Sequence, residues 1–199
     1  MIESASLLSK AFEHFDRVNG SDPRLEMSSG SLEPKELLYA QRVSDRLSQF
    51  APGASEALRL AARAQHIARW HIPRSSYPPG RPGYKAWRTE LMRYHAQLAA
   101  EIMEEVGYDP GTIETVSQLL RKQGLKRNQE VQTLEDVVCI VFLEHYFDEF
   151  AKAHDDQKLV GILRKTWLKM SERGHAAAKE LQLSERSTQL MAAAVAQLP

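Results

Sequence analysis

The sequence predicts an all-α fold in the form of a single compact multi-helix domain, and three observations support this prediction. Apolar residues recur at helical spacing along nearly all of the chain, with no convincing strand alternation. A hydrophobic fraction of 43% and a charged fraction of 26% are ordinary for a soluble globular protein. A length of 199 residues is sufficient for one domain with a sizeable core.

Proline, glycine and capping residues divide the chain into eight predicted helices. Asn19–Pro23 ends the first helix, Pro34 begins the second, and Ser55 caps the third. Four prolines and two glycines predict a long loop over residues 72–83, and Gly107 ends the long helix that follows. The predicted helices lie near residues 5–18, 34–50, 55–70, 84–106, 110–123, 130–152, 156–172 and 184–197.

The composition argues against several classes of protein. The formal net charge is zero, so no global basic field favours extended binding of nucleic acid. Cys139 is the single cysteine, which excludes an internal disulfide and a CxxC-type zinc site. No run of about twenty apolar residues predicts a membrane helix, and the N-terminus lacks the apolar core of a signal peptide. We therefore expect a cytoplasmic protein.

Three titratable side chains fall on apolar helix faces, where an unpaired charge is costly. His95 lies within the apolar stripe of the long helix, and Asp136 lies within the stripe of the helix after residue 130. His66 borders the apolar face of the third helix, between Arg63 and Trp70. Imidazole and carboxylate ligands together suit Mn, Fe, Zn, Co or Ni, and such an ion would activate a bound water. These residues predict a divalent transition-metal site.

Other interpretations of the same residues stay open. A histidine on an apolar stripe is commonly a hydrogen-bonded core residue, and this interpretation applies to His95. Thr133 and Asp136 have the spacing of a capping box, so Asp136 is alternatively a helix cap. A histidine or an arginine would also satisfy a buried carboxylate at this position, in place of a metal.

An arginine-rich segment with interleaved aromatic residues surrounds the predicted loop. The planar fork of arginine suits phosphate and carboxylate groups, and aromatic faces stack on bases. The segment therefore predicts a site for a small anionic ligand, one that contains phosphate. The predicted binding residues are Arg63, Arg69, Trp70, Arg74 and Arg88. The alternative is a set of surface arginines that pair with the acidic residues of the following helix.

The chain resembles domain-of-unknown-function family 4202 in three runs, ELLYAQRVSDRL, LAARAQHIARWHIPRSSYPPGRPGYKAWRTEL and VQTLEDVVCIVFLEHYFDEFAKAH. This resemblance covers most of the chain, and QHIARWHIPR and GYKAWR are its most specific motifs. It implies no established activity, because none is known for the family.

A weaker resemblance is to the HD phosphohydrolase superfamily, an all-α fold that binds one or two divalent metals. Its ligands are a first histidine, an adjacent His-Asp pair and a later aspartate. His66, His95 and Asp136 occur in that order. An alanine follows His95 where the family has aspartate, so either Glu135 or His71 is the substitute ligand, or else the metal site is degenerate.

Three hypotheses for the function follow. The first is an HD-like, metal-dependent phosphohydrolase acting on a nucleotide or phosphorylated small molecule, with His71 as the proton relay. The second is a non-catalytic module that binds a nucleotide or another small anion. The third is a structural or interaction protein, for example a subunit of a homo-oligomer.

Overall fold

Helices make up most of the structure, a computed structural model that describes residues 6–198, so the all-α prediction is confirmed. Contacts group the chain into two units, Met1–Gly124 and Leu125–Pro199. The first contains α1 (Leu7–Asn19), β1 (Leu25–Ser28), β2 (Ser31–Pro34), α2 (Lys35–Phe50), α3 (Glu56–Arg63), α4 (Gly80–Val106) and α5 (Pro110–Leu120). The second contains α6 (Gln129–His145), α7 (Phe147–Lys152), α8 (Asp156–Lys169), α9 (Glu172–Lys179) and α10 (Glu185–Ala196). That these units form one domain stays a prediction.

Side-chain caps explain where many of these helices begin. Ser6, Ser55 and Asp109 accept hydrogen bonds from backbone N–H groups in the first turns of α1, α3 and α5. Asn128 and Ser171 do the same for α6 and α9. These bonds satisfy N–H groups that have no partner inside the helix. The predicted cap at Ser55 is thus confirmed, while the predicted start of the first helix at residue 5 lies outside the described residues.

The core of the first unit is built by contacts of α4 with α1 and α5, and of α3 with α1, α2 and α5. Leu60 and Ile67 are fully buried, and Leu91 and Ile102 are 2% and 6% exposed. Each such side chain contributes about 1.5–3 kcal/mol of hydrophobic stabilisation. The predicted apolar stripe of α4 is confirmed, and it carries His95 into this core with only 3% of its surface exposed.

The second unit has its own apolar core. Its closest helix pairs are α8 with α10 and α6 with α9. Ile140, Leu143, Phe147, Leu159 and Leu163 are each at most 2% exposed. The same buried face of α6 carries Asp136, which is 2% exposed. A carboxylate at such a position needs hydrogen-bond partners within the protein.

A short β-hairpin joins α1 to α2, where the sequence predicts only a loop. β1 and β2 are antiparallel, with Met27 opposite Leu32. Ser29 and Gly30 form the connection with φ values of 48° and 87°, which match the twist of a two-residue hairpin turn. The prediction of a loop here is therefore wrong in part, because these four-residue strands are too short and too exposed to show a hydrophobic alternation.

The largest departure from the predicted helices is the segment 64–72, which we call the linking segment. α3 ends at Arg63 and does not continue to residue 70. The backbone of Ala68 is left-handed, with a φ of 51°, before a 3₁₀ turn at Arg69–His71. A non-glycine residue in this conformation is strained by about 1–2 kcal/mol, so surrounding contacts must hold it in place.

Three side chains from other elements hold the linking segment through its backbone. The bonds are Ala68 N–H to Asn19 Oδ1 at 3.0 Å, His95 Nδ1–H to the Ile67 carbonyl at 2.8 Å, and Trp87 Nε1–H to the Ile72 carbonyl at 2.8 Å. All three are long-range contacts that helical periodicity cannot reveal. They explain why an apolar pattern typical of a longer helix folds into turns here.

Other boundaries differ less from the prediction. α4 begins at Gly80, inside the predicted loop 72–83, because Pro82 falls in the first turn, where a helix has no use for the missing N–H. The predicted helix 130–152 is two helices that meet at Tyr146. The helix α9 is absent from the prediction because its eight residues include a glycine and give a weak pattern.

Gly83 allows the first turn of α4 to lie against the preceding loop. A Cβ atom at this position would be 2.0 Å from the carbonyl oxygen of Pro78. That carbonyl also accepts a hydrogen bond from Arg74 Nη2 at 2.9 Å, and Arg74 Nη1 donates to the Tyr77 carbonyl at 2.8 Å. The loop and the start of α4 therefore form one closely packed structure.

We predict that Gly83→Ala lowers the free energy of unfolding by about 2 kcal/mol, since backbone must move to admit the methyl group. Thermal unfolding followed by circular dichroism measures this effect. The control is Gly53→Ala in the same unit, where a Cβ would meet no atom within 4 Å. Equal melting temperatures for the two variants would contradict the proposed close packing at Gly83.

Candidate functional site

Two imidazoles meet inside the first unit, between α2, the linking segment and α4. The ring centroids of His66 and His95 are 5.9 Å apart, and Tyr39 stacks on His66 with centroids 4.1 Å apart. A narrow cavity beside them has room for about one water molecule. Its polar lining residues are Gln65, His66, Arg69, Arg88 and His95. This cavity and its lining are the candidate site.

A buried carboxylate pair lies on one side of the candidate site. Glu36 is 3% exposed, and its Oε1 accepts a hydrogen bond from Arg24 Nη2 at 2.8 Å. Arg24 also donates to both carboxylate oxygens of Asp22, at 3.0 and 2.9 Å. Burial raises the pKa of Glu36, against the attraction of Arg69 and Arg24. Burial alone would raise the pKa of Asp22 too, but its hydrogen bonds with Arg24 hold it below the usual value.

The contacts of His66 determine its tautomer. Arg69 Nη1 lies 2.9 Å from His66 Nε2, and a guanidinium has only donors, so Nε2 must accept. The proton of the neutral ring is then on Nδ1, which lies 3.5 Å from Glu36 Oε2. Burial, together with the charges of Arg69 and Arg88, holds the pKa of His66 well below its usual value. Both nitrogens of this ring are therefore engaged by neighbouring side chains.

His95 presents an unused acceptor to the cavity. Its Nδ1 donates to the carbonyl oxygen of Ile67 at 2.8 Å, so the neutral ring carries a lone pair on Nε2. Among the described residues, Nε2 has no hydrogen-bond partner, although the residue is only 3% exposed. Burial is the main cause that lowers the pKa of His95 to about 3, with the positive charge of Arg69 acting in the same direction. The ring is thus a neutral acceptor at physiological pH.

Two arginines also line the cavity. Arg69 donates to His66, and its guanidinium carbon lies 4.9 Å from the ring centroid of Trp87. Burial lowers the pKa of Arg69, the carboxylate of Glu36 opposes this shift, and the charge of Arg88 adds to it. Arg88 is half-buried, and its guanidinium has no hydrogen bond or ion pair among residues 6–198. The site therefore holds two neighbouring positive charges, one of which lacks a counter-ion.

This set of side chains does not suit a divalent metal at the cavity. His66 has no free lone pair, so His95 Nε2 is the single imidazole nitrogen available to a cation. Two guanidinium groups beside it repel a divalent ion. No group of three or more His, Cys, Asp and Glu side chains within the described part of the chain is arranged to hold a metal ion.

The predicted metal ligands Asp136 and Glu135 belong to the second unit. Asp136 accepts hydrogen bonds from Ser171 N–H at 2.8 Å, Ser171 Oγ at 2.5 Å and Gln132 Nε2 at 3.0 Å. Glu135 lies 3.7 Å from the ammonium nitrogen of Lys169. The interpretation of Asp136 as a helix cap is wrong, because α6 begins seven residues earlier, after the cap residue Asn128. Hydroxyl, amide and backbone donors satisfy this buried carboxylate.

The other predicted site residues have structural contacts or lie outside the cavity. Arg63 forms a two-pronged ion pair with Asp16, at 2.7 and 2.5 Å, and Arg74 binds the backbone of its own loop. Trp70 packs beside His71, with ring centroids 5.3 Å apart, and His71 is exposed. Of the residues predicted to bind an anion, Arg69 and Arg88 are the two that line the cavity with His66 and His95.

A second concavity is lined by residues that include Arg93 and Arg121, and we call it the α4–α5 groove. Arg93 lies 3.9 Å from Glu90, and Arg121 lies 3.9 Å from Glu114. Each of these arginines therefore has a carboxylate neighbour, in contrast to Arg88. Both are also more exposed, and Arg93 retains 71% of its side-chain surface. An arginine of the α4–α5 groove can therefore serve as a control for Arg88 in binding experiments.

The sequence does not single out four of the residues around the cavity, which are Asp22, Glu36, Tyr39 and Gln65. Glu36 and Tyr39 lie three residues apart on α2, within a run that reads as an ordinary amphipathic helix. The sequence carries no signal for the burial of Glu36, because an acidic residue in the first turn of a helix is commonly exposed and interacts with the helix dipole. Only the tertiary contacts of Glu36 with Arg24 and His66 distinguish a buried carboxylate from an ordinary exposed acid at the start of a helix.

Comparison with known families supports one of the two resemblances. The family described as Domain of unknown function (DUF4202) matches residues 9–191. The chain belongs to this family. The match includes the candidate site of the DUF4202 chain and reaches into α10. The comparisons provide no support for a relation to the HD phosphohydrolase superfamily.

Neither the curated proteins nor the solved structures that were compared with the DUF4202 chain give a match. No helix in the described part of the chain is long and apolar enough to cross a membrane. Function must therefore be argued from the chemistry of the candidate site.

We predict that His95 makes the protein less stable as the pH falls. Its folded pKa of about 3 lies below the unfolded value, so the unfolded state binds more protons in acid. Between about pH 7.5 and about pH 5, this residue should remove about 2 kcal/mol from the free energy of unfolding. Denaturant unfolding across this range measures the loss, and His95→Asn should reduce the slope.

The variant comparison isolates His95 from Glu36, whose raised pKa acts in the opposite direction: stability is gained as Glu36 takes up a proton. His71→Asn serves as the control, since it removes an exposed imidazole outside the cavity. Parallel pH profiles for wild type and His95→Asn would show that the buried imidazole does not behave as described.

Proposed function

We propose that this DUF4202 protein binds a small oxyanion between Arg69 and Arg88. The observation that carries the proposal is the guanidinium of Arg88, which is half-buried beside a second guanidinium and has no counter-ion among the described residues. Guanidinium groups recognise phosphate and carboxylate through paired N–H donors. An anion at this place would relieve the repulsion between the two arginines.

The balance of charge around the cavity supports a ligand with negative charge. Asp22 and Glu36 are both engaged by Arg24, and Glu36 also attracts Arg69. Arg24, Arg69 and Arg88 exceed the two carboxylates by one positive charge, the charge of Lys122 also acts on His66, and burial keeps both histidines neutral. Of these arginines, Arg88 has the least compensated charge, since neither carboxylate bonds to it. A partly buried charge of this kind is costly unless it is paired.

The arrangement also supports binding in preference to chemistry at a metal. His66 bonds with Arg69, and His95 has a pKa of about 3, so neither imidazole is suited to accept a proton from water near neutral pH. A metal-dependent phosphohydrolase with His66, His95, Asp136 and Glu135 as ligands stays a prediction. It requires metal in the purified protein, whereas the proposed binding does not.

We predict that inorganic phosphate raises the melting temperature of the protein in a saturable way, even after treatment with a chelator. Arg88→Met should weaken this binding by about 10- to 100-fold, because it removes charge-assisted hydrogen bonds to the anion. The methionine keeps an apolar stem of similar length, so the core should remain packed. Isothermal calorimetry on chelated protein gives the affinity directly.

Arg93→Met is the matched control, because it removes an arginine from the same helix at the α4–α5 groove. It should bind phosphate as wild type does. Loss of binding in Arg93→Met but not in Arg88→Met would contradict the proposed site. Binding that appears only with added Mn, Fe, Zn, Co or Ni, together with metal in the purified protein, would favour the hydrolase hypothesis instead.

A further inference from the structure

Two buried hydrogen-bond acceptors line the cavity beside Arg88. His95 and Gln65 are 3% and 4% exposed, and both line the cavity. His95 Nε2 and Gln65 Oε1 have no hydrogen-bond partner among the described residues. Buried polar atoms in folded proteins nearly always have a protein or water partner, so two such atoms at one cavity require donors from a water or from a ligand.

The tautomer of His95 makes this requirement specific. The carbonyl oxygen of Ile67 can only accept, so it keeps the ring proton on Nδ1 and leaves a lone pair on Nε2. A deprotonated oxygen placed against this lone pair would bring two acceptors together with no hydrogen between them. An oxygen that carries its own proton would instead donate to Nε2. Gln65 Oε1 sets the same requirement, because a carbonyl oxygen is only an acceptor.

The charged residues around the cavity indicate which other groups the ligand carries. Arg69 and Arg88 also line the cavity, and their guanidinium donors favour negatively charged oxygens. The inner space has room for about one oxygen atom with its proton. The site thus combines donors for charged oxygens with acceptors for a hydroxyl.

We propose, on the basis of the oxyanion site, that its ligand is a phosphate group that retains a proton, and that the site rejects sulfate. Near neutral pH, inorganic phosphate always keeps at least one P–O–H group, whereas sulfate has none. The two anions have nearly the same size and shape, but at about pH 6 phosphate is mainly monovalent and sulfate is divalent. Two guanidinium groups would by charge alone favour sulfate, so a preference for phosphate reports the donor requirement. Inorganic phosphate and the head of a phosphate monoester share this chemistry.

The experiment compares inorganic phosphate, methyl phosphate and sulfate by calorimetry at about pH 6, where a monoester also keeps a proton on a large share of molecules. Wild-type protein should bind phosphate about 10- to 100-fold more tightly than sulfate, since sulfate leaves both acceptors unsatisfied. Binding of methyl phosphate as tightly as inorganic phosphate would identify monoesters as the ligand class. Binding of inorganic phosphate alone would identify the free anion.

Two variants test the acceptors themselves. Gln65→Met removes one acceptor with little change of volume, and His95→Asn removes Nε2 while its amide can still donate to the Ile67 carbonyl. In each variant the preference for phosphate over sulfate should fall several-fold, toward equal binding. Gln65→Met provides the result on its own if loss of the imidazole prevents folding of His95→Asn.

The outcomes separate this inference from the proposed function. Phosphate binding with weak sulfate binding, lost in the variants, supports both. Equal binding of phosphate and sulfate by wild type overturns the donor requirement and leaves the oxyanion site standing. Binding of neither anion overturns the site and the inference together. A preference for phosphate that survives unchanged in both variants would show that His95 and Gln65 do not contact the anion.

Discussion

The hydrogen bond from His95 Nδ1 to the Ile67 carbonyl is the interaction on which the candidate site depends. It joins α4 to the linking segment across 28 residues of sequence, deep in the core of the first unit. It helps to hold the left-handed turn at Ala68, after which Arg69 bonds back to His66. It also determines the tautomer, because a donor on Nδ1 leaves an acceptor on Nε2. One bond therefore sets both the backbone path and the chemistry of the cavity.

The polar cluster around this bond is stable because most of its charged groups have partners, some close in sequence and others on a different element. Arg24 compensates Asp22 and Glu36, and Arg69 bonds to His66 while its guanidinium lies over Trp87. Burial of such groups costs several kcal/mol unless partners are supplied. The exceptions are Arg88 and the two orphan acceptors, which line one cavity, and Asn19 Nδ2, which is not part of its lining. Three unsatisfied groups that line one cavity are typical of a binding site.

Asp136 shows that a buried carboxylate on an apolar face need not be a metal ligand. Ser171 supplies its backbone N–H and hydroxyl, and Gln132 supplies an amide. Gly174 lies so close that a Cβ there would be 2.7 Å from Asp136 Oδ1. The carboxylate thus connects α6 to the start of α9 inside the second unit. Hydrogen bonds of this kind satisfy a buried charge as well as an arginine would.

The sequence by itself determined the all-α class, the apolar stripe of α4 and the inward positions of His95 and Asp136, because helical periodicity is a local property. It also selected Arg69, Arg88 and His66 as residues of one site. Only the tertiary structure decided that α3 stops at Arg63, since Asn19, Trp87 and His95 hold the backbone that follows. Long-range contacts likewise placed Glu36 beside His66. Local patterns show which side chains turn inward, but the partners they meet are set by packing between distant elements.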